Sequence, residues 1–439
     1  MANKGEKGKD NTPMTIDGVM NFINSKYKTK VIEIASKAKS LKGVRLKTGI
    51  FNLDVKLGGG WLKGRIYEIM GEESTGKTYV CTHTIASAQR TCRLCNTPFT
   101  SIEQIVTNIK SGEIVLDNLV TDMDTPIFPY ELTNTEIEEE LTEEDFATEY
   151  RFEGCECGSN EPHVCVFIDA EGTYHPQWTA EQGVINDLLN LVQTEFAEQA
   201  IDVIEALTRT GKVDLLIVDS VPALTPSKEI EDSAEDASVG THARLMNRFM
   251  RVIQSALNSL GLDSDNKPII ILVNQLRQKI GVMFGSNETT PGGRGIKFAA
   301  SARVRMGATK RIKIDSSTGK IAEKGANIIP VAVILSYTVP KNKTFTPFQE
   351  GNFELHVETL EQFGYHKGKV NNDEQVIKFA GETEVVHKGG GGYYSVVIED
   401  GSTLKAQGES AFVTLLKEKG IYSRIEKETM AKATRRVGH

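Results

Sequence analysis

No apolar run in this chain approaches the ~18 residues that a membrane-spanning helix needs. The longest blocks are short, residues 269–273 among them. No apolar stretch follows the Lys- and Gly-rich residues 1–10, so no signal peptide and no membrane partner are expected. Cysteine is scarce: six in 439 residues do not make a disulfide scaffold. A reducing cytoplasm is the expected location, and clustered cysteines are read first as metal ligands. Positive charge is in deficit too. The net charge of −8 taken whole argues against nucleic acid, but the deficit is local. Residues 131–153 hold ten acidic residues against Arg151, so the rest of the chain sums to +1. The acidic block says little about the remaining surface. Length is not lacking, and corresponds to about three domains.

Residues 1–12 are polar and expected to be disordered. Over 14–43, apolar residues fall at helical spacing (Val19, Phe22, Ile23, then Val31, Ile32, Ile34, Ala35) among many lysines, predicting a small helical N-terminal segment over 1–45. From Gly49 the pattern changes. Strand-like runs stand at 65–70, 164–169, 215–219, 269–274 and 331–337, mostly with amphipathic stretches between them. This predicts an α/β fold, a parallel-rich sheet covered by helices, over a core of 46–347. Residues 91–163 far exceed an ordinary connection of about two to six residues and read as an insertion carrying the acidic block. After Pro347 the alternation stops. Residues 348–439, with the Gly389–Gly392 run and a Lys/Arg-rich helix over 411–436, read as a smaller α+β C-terminal domain.

Gly71-Glu72-Glu73-Ser74-Thr75-Gly76-Lys77-Thr78 is a full G-x4-G-K-T phosphate loop. It follows a predicted strand and opens a predicted helix, which a chance match in a Gly-rich turn would not do. The glycines let backbone N–H groups face phosphates at a helix N-terminus. Lys77 would reach the β- and γ-phosphates of a bound nucleotide, and Thr78 would ligate Mg2+. Residues 213–219 form an apolar strand ending in Asp219, suited to holding Mg2+ through water. Residues 166–171 form another, ending in Glu171. Ligands of open α/β sheets sit beyond the carboxyl ends of the strands, so Glu171 is placed to polarise a water attacking the γ-phosphate.

These segments together resemble the RecA recombinase family. The resemblance runs from about residue 46 to 347 apart from the insertion. It is carried by GEESTGKT (71–78), FIDAEG (167–172), LIVDSVPALTPSKEIE (216–231), LVNQLRQKIGVMFGSNETTPGGRGIKFAASARVR (272–305) and VPKNKTFTPF (339–348). GYYS and the residues after it (392–416) resemble the C-terminal domain of bacterial members, while the insertion is foreign to them. The pattern suggests a divergent member from a large bacteriophage, acting in the cytoplasm of a bacterial host. The resemblance implies a RecA-like ATPase core that forms a homo-oligomeric helical filament on single-stranded DNA. It implies ATP-dependent pairing and strand exchange with double-stranded DNA, aided by mediator and single-stranded-DNA-binding proteins. It further implies that Glu171 is the catalytic glutamate, that Gln275 senses the γ-phosphate, and that Trp178 stacks on adenine with His175 touching the base. Lys341 and Lys343, in a K-N-K turn after the strand at 331–339, would point across the filament interface at the neighbour's γ-phosphate. Lys297, Phe298 and Arg303 would line that junction.

For DNA, residues 241–260 are amphipathic: Leu245, Phe249, Val252 and Ala256 form one stripe, and Arg244, Arg248 and Arg251 another. Such a charged stripe is ordinarily only solvated. The resemblance makes Arg244 and Arg251 DNA contacts. Residues 276–296 combine five glycines with Arg277, Lys279, Arg294 and the aromatic Phe284, a composition suited to gripping a single strand. The resemblance makes this the second DNA loop and the acidic 229–240 the first.

Cys92-x2-Cys95 and Cys155-x-Cys157 bracket the insertion. Four thiolates in two close pairs suit structural Zn2+, with His163 a possible substitute ligand. Cys81 and Cys165 read as buried small apolar residues. Two rivals remain. A RecA-fold ring helicase or DNA motor ATPase would share the phosphate loop and Asp219 but not the 275–296 segment. A scaffold with a vestigial nucleotide site would have no need of Lys77, Thr78, Glu171 and Asp219 together.

Overall fold

The structure is a computed structural model that describes residues 15–28, 30–31, 33, 43–108, 114–120, 146–231, 240–262, 265–278 and 288–437. Lys279 and Phe284, the acidic run 131–145 and residues 232–239 of the acidic loop lie outside the described residues.

Helix α1 (Ile16–Tyr27) is capped by the Thr15 hydroxyl, which accepts from the Gly18 N–H, and none of its residues is buried. Strands β1 (Arg45–Leu46) and β2 (Trp61–Leu62) pair antiparallel around helix α2 (Phe51–Leu57). Strand β3 (Ile66–Gly71) then leads through the phosphate loop into helix α3 (Lys77–Gln89). The described residues of the insertion form a three-stranded antiparallel sheet of β4 (Ser101–Asn108), β5 (Ile114–Val120) and β6 (Phe146–Glu153), in the order β5-β4-β6. The chain returns to the core as β7 (Cys165–Asp169), α4 (Pro176–Glu181), β8 (Leu189–Val192), α5 (Ala197–Thr210), β9 (Leu215–Asp219), α6 (Ser227–Glu231), α7 (Thr241–Ser259) and β10 (Ile269–Gln275). A hairpin of β11 (Arg277–Gln278) and β12 (Glu288–Thr289) and helix α8 (Arg294–Ala299) precede the long strands β13 (Ala302–Asp315), β14 (Ile328–Asn342) and β15 (Gln349–His356). The chain ends with α9 (Asp373–Glu382), β16 (His387–Lys388), β17 (Tyr393–Val397), β18 (Thr403–Gln407), α10 (Glu409–Glu418) and α11 (Tyr422–Val437).

The central sheet has eight strands in the order β15-β14-β13-β3-β10-β9-β7-β8. From β13 to β8 every pairing is parallel, as the predicted α/β fold requires. Strand residues alternate between two apolar layers. Ile69, Phe167, Ile217 and Ile271 face α3, while Val166, Ile168, Leu216, Val218, Ile270 and Leu272 pack with residues of α5 and α7. No helix among the described residues is long and apolar enough to cross a membrane.

Three expectations are corrected. The strand predicted over 331–337 runs over Ile328–Asn342 and is antiparallel to both its neighbours. The core therefore does not stop at residue 347: β15 pairs with β14 from Ala332–His356 to Val339–Gln349, and Phe353 is fully buried in the main core. The C-terminal unit proper begins near α9, where Ile377, Tyr394, Phe412, Leu416 and Ile425 form a cluster of their own. It docks on α2 through Phe51 and Phe379, whose rings are 6.0 Å apart. The helix expected over 411–436 is two helices, parted at Gly420, whose φ of 66° is left-handed.

Candidate nucleotide and DNA site

Parallel register brings the chemistry to one edge. Gly71 and Gln275 are paired at the ends of β3 and β10, and Asp169 and Asp219 at the ends of β7 and β9. The phosphate loop closes on itself: the Lys77 ammonium donates to the Glu72 carbonyl at 2.6 Å, and the Thr75 hydroxyl to the same oxygen at 2.8 Å. Glu72, Glu73 and Ser74 are exposed, and Ser74 and Gly76 take left-handed φ values of 58° and 83°. Gly76 caps α3 without a side-chain hydrogen bond, and the first turn carries no acid. The N–H groups of that turn and Lys77 are thus a donor set that fits a phosphate chain. Partial burial pulls the Lys77 pKa below its ordinary value, against the charges of Asp219, Glu171 and Glu73.

The Thr78 hydroxyl donates to Asp219 Oδ2 at 2.6 Å, two oxygens of the kind Mg2+ takes. Burial pushes the Asp219 pKa up to about 6; Glu171 and Asp169 add to the rise, while Thr78 and Lys77 oppose it. Glu171 is exposed at the tip of the turn after β7, and its carboxylate accepts from the Ser220 hydroxyl. That turn is tied down by Asp169, which accepts from the N–H groups of Thr173 and Tyr174 at 3.1 and 3.0 Å. Asp169 and Ser220 went unread in the sequence, where each was one short polar residue at a strand end. So did Asn274. It is fully buried and donates to Glu68 at 2.9 Å and to the Pro291 carbonyl at 3.1 Å, tying the strand before Gln275 to the far end of the 276–296 segment.

Trp178 is half-buried on α4, with the Tyr79 ring edge-on at 5.9 Å. His175 caps that helix, its Nδ1 accepting from the Trp178 N–H at 3.3 Å. Arg244, Arg248 and Arg251 are exposed on α7 while Leu245, Phe249 and Ala256 are buried. Arg277 is exposed on β11, and Arg294 opens α8. Gly293 and Gly295, on either side of Arg294, lie against Ala243 and Asn247 of α7.

Lys341 stands in β14 rather than in a turn, paired with Arg303; only Lys343 lies beyond the strand. The Lys341 ammonium donates to the carbonyls of Lys297 and Phe298 at 2.6 and 3.2 Å, and that of Lys343 to Phe298 at 3.3 Å. Burial brings the Lys341 pKa down to about 8, helped by the charges of Lys343 and Arg303. Lys297 and Phe298 are exposed beside them. Arg303 is not part of that surface. Its guanidinium turns inward onto the Glu68 carboxylate, with the two side chains 11% and 0% exposed.

The four cysteine sulfurs lie within 4.8 Å of one another. Cys157 Sγ is 3.6 Å from Cys92 Sγ and 3.7 Å from Cys155 Sγ, against the ~3.8 Å that a tetrahedron with ~2.3 Å Zn–S bonds requires. The Thr97 hydroxyl, 2.9 Å from Cys95 Sγ, brings that thiol's pKa down to about 6. His163 is no ligand here. It is buried against Asp214, which also holds Lys63 and Arg93 at the foot of the insertion. Cys81 and Cys165 are fully buried, as expected.

The family model for the RecA N-terminal domain matches residues 14–121 and 155–359, skipping only a stretch inside the insertion. The chain belongs to the RecA family. It is 32% identical to Protein RecA of Brevibacillus brevis over 347 residues, covering 79% of this chain and 71% of the relative. Protein RecA of Streptococcus sanguinis is 31% identical over 386 residues, 88% of this chain and 76% of the relative. That of Malacoplasma penetrans is 29% identical over 397 residues, 90% of both. RecA-family membership makes the protein an ATP-dependent DNA recombinase, an enzyme that hydrolyses ATP and acts on DNA.

Proposed function

We propose that the protein assembles head to tail into a helical filament on single-stranded DNA, with ATP and Mg2+ held at each junction, and exchanges strands with a homologous duplex. The observation that carries this reading is the shared edge of β3, β7, β9 and β10. There the phosphate loop, the Thr78–Asp219 pair and Glu171 meet Gln275, from which the chain runs directly into the cationic hairpin. A helicase or motor needs the first three and has no need of that continuation.

The loop N–H groups and Lys77 bind the phosphates, and Thr78 and Asp219 hold Mg2+, which neutralises phosphate charge when bound. Glu171, oriented by Ser220, holds the attacking water and takes up its proton. Gln275 senses the γ-phosphate from beside Gly71 and passes its state to the DNA loop through the Asn274–Pro291 bond. Trp178 stacks on the base. Arg244, Arg251, Arg277, Lys279 and Arg294 contact DNA phosphates, and Phe284 stacks on bases. Lys341 and Lys343 serve the neighbouring subunit. Their ammoniums rest on α8 carbonyls in the free chain, and a phosphate is the stronger partner for both. A cation supplied from the next subunit makes hydrolysis depend on assembly.

The cysteine cluster holds one structural zinc, closing the base of the insertion where Cys92, Phe99, Ile102, Phe152 and Cys155 pack with Ile185 of the core. Thiolate ligation suits a reducing, cytoplasmic setting. Electron microscopy with single-stranded DNA, with and without a non-hydrolysable ATP analogue, tests the assembly. Nucleotide-dependent helical filaments are expected, and closed rings would contradict the reading.

A further inference from the structure

The base-binding half of the nucleotide site has a neighbour that the mechanism above does not use. Lys367 Nζ stands 4.9 Å from the centroid of the Trp178 ring. Its ammonium is held there by Glu181, with the two carboxylate oxygens at 3.0 and 3.2 Å, and Glu181 lies one helical turn beyond Trp178 on α4. The backbone carrying Lys367 is fixed as well. The Gly368 carbonyl lies 3.0 Å from His83 Nε2 of the phosphate-loop helix. Gly368 itself, at φ +88°, passes so close to the Glu181 carbonyl that any Cβ would collide with it. Trp178 and Tyr79 line a cavity that reaches Thr78 and Asp219, whereas Lys367 and Glu181 line a different one. The Tyr79 hydroxyl is buried and has no hydrogen-bond partner among the described residues, a donor waiting beside the indole.

We infer that Lys367 is a positioning residue for base recognition: its ammonium holds the Trp178 indole in place before the nucleotide arrives, leaving the cavity side for a planar base. The inference rests on Trp178 being the base-stacking residue. A half-buried ring on a six-residue helix would otherwise have to be ordered at the moment of binding, and ordering it beforehand removes that cost from nucleotide affinity. The phosphate contacts are independent of it, so the effect belongs in KM and not in the chemical step.

The test is Lys367→Met, which keeps the aliphatic stem and removes the charge. With single-stranded DNA present, the KM for ATP is expected to rise about two- to fivefold, the scale of a partly exposed cation–π contact, while kcat holds. Lys367→Arg is expected to restore KM, because a guanidinium stacks on an indole and still pairs with Glu181. Trp178 emission supplies a second readout, since the only other tryptophan, Trp61, is fully buried. Acrylamide should quench the nucleotide-free Met variant more than the parent, and the Arg variant no more. Trp178→Leu separates two kinds of failure. If it leaves KM unchanged, the base-stacking role of Trp178 is wrong. If it raises KM while Lys367→Met leaves KM unchanged or lowers it, Trp178 stands and the role of Lys367 is overturned. A Met variant that loses kcat and melting temperature together overturns it too, since the segment would then be only structural.

Discussion

Arg303→Met separates a buried structural ion pair from an interface contact, and its cost follows from the geometry. The Arg303 guanidinium donates to a Glu68 carboxylate that is wholly buried in the strand leading to the phosphate loop. Removing one partner of a buried pair costs ~3–5 kcal/mol, because the other charge is left without compensation. Glu68 keeps one donor, Asn274 Nδ2 at 2.9 Å, a bond worth ~1 kcal/mol, so the lower end, ~3 kcal/mol, is expected. Against a typical total of ~5–15 kcal/mol this is a large loss. Urea unfolding followed by circular dichroism reads it as a lowered midpoint. Adding Glu68→Gln removes the stranded charge and should recover most of the loss. An Arg303→Met variant that unfolds at the parental midpoint would refute the burial argument and return Arg303 to the subunit junction.

Glu171→Gln should retain ATP and DNA binding while losing turnover, leaving stable filaments; rapid phosphate release by this variant would remove Glu171 from the chemistry. Freshly reduced protein should carry about one zinc per chain, and Cys92→Ser with Cys95→Ser should lose it while keeping nucleotide binding. Elemental analysis finding no metal in the parent would sink the site. His83 is buried, which lowers its pKa to about 4 from an ordinary 6.5. Between those values the unfolded chain takes up a proton that the folded chain refuses. Stability present above pH 6.5 should therefore fall as the pH drops toward 4, by a few kcal/mol at most. His83→Gln should flatten that part of the pH–stability curve, and an unchanged slope would show that His83 titrates normally.

The residues that spell a mechanism by themselves were legible in the sequence. The phosphate loop and the two apolar strands ending in Glu171 and Asp219 need their residue types in fixed order, and the structure brings them to one edge. The α7 arginines were legible because a 3.6-residue period separates Arg244 and Arg251 from the buried Leu245 and Phe249. The antiparallel edge was missed although its signal was present. Ala302, Val304 and Met306 alternate with charged residues and are all buried, yet the run read as the tail of a loop motif. Lysine and asparagine interrupt the apolar run and so read as a turn at Lys341, whereas the strand continues through them to Asn342. Arg303 and His163 show the limit of residue type as evidence. An arginine near an interface motif and a histidine near cysteines both turned inward, to Glu68 and Asp214, because a buried carboxylate needs a partner more than the surface needs a charge. Asn274 and Lys367 carried no local pattern, since their partners lie far away in sequence, at Glu68 and Trp178.

We propose that ATP hydrolysis is completed across a subunit junction by Lys341 and Lys343. The most direct measurement is phosphate release on single-stranded DNA as two inactive variants are mixed. Lys77→Ala lacks the phosphate-binding cation, and Lys341→Ala with Lys343→Ala lacks the charges offered to the neighbour. Each alone should be inactive. The mixture should regain activity, greatest near equal proportions, because some junctions then pair an intact phosphate loop with intact lysines. A double-lysine variant that hydrolyses ATP at the parental rate, or a mixture that stays inactive at every ratio while both variants assemble together, would contradict the account.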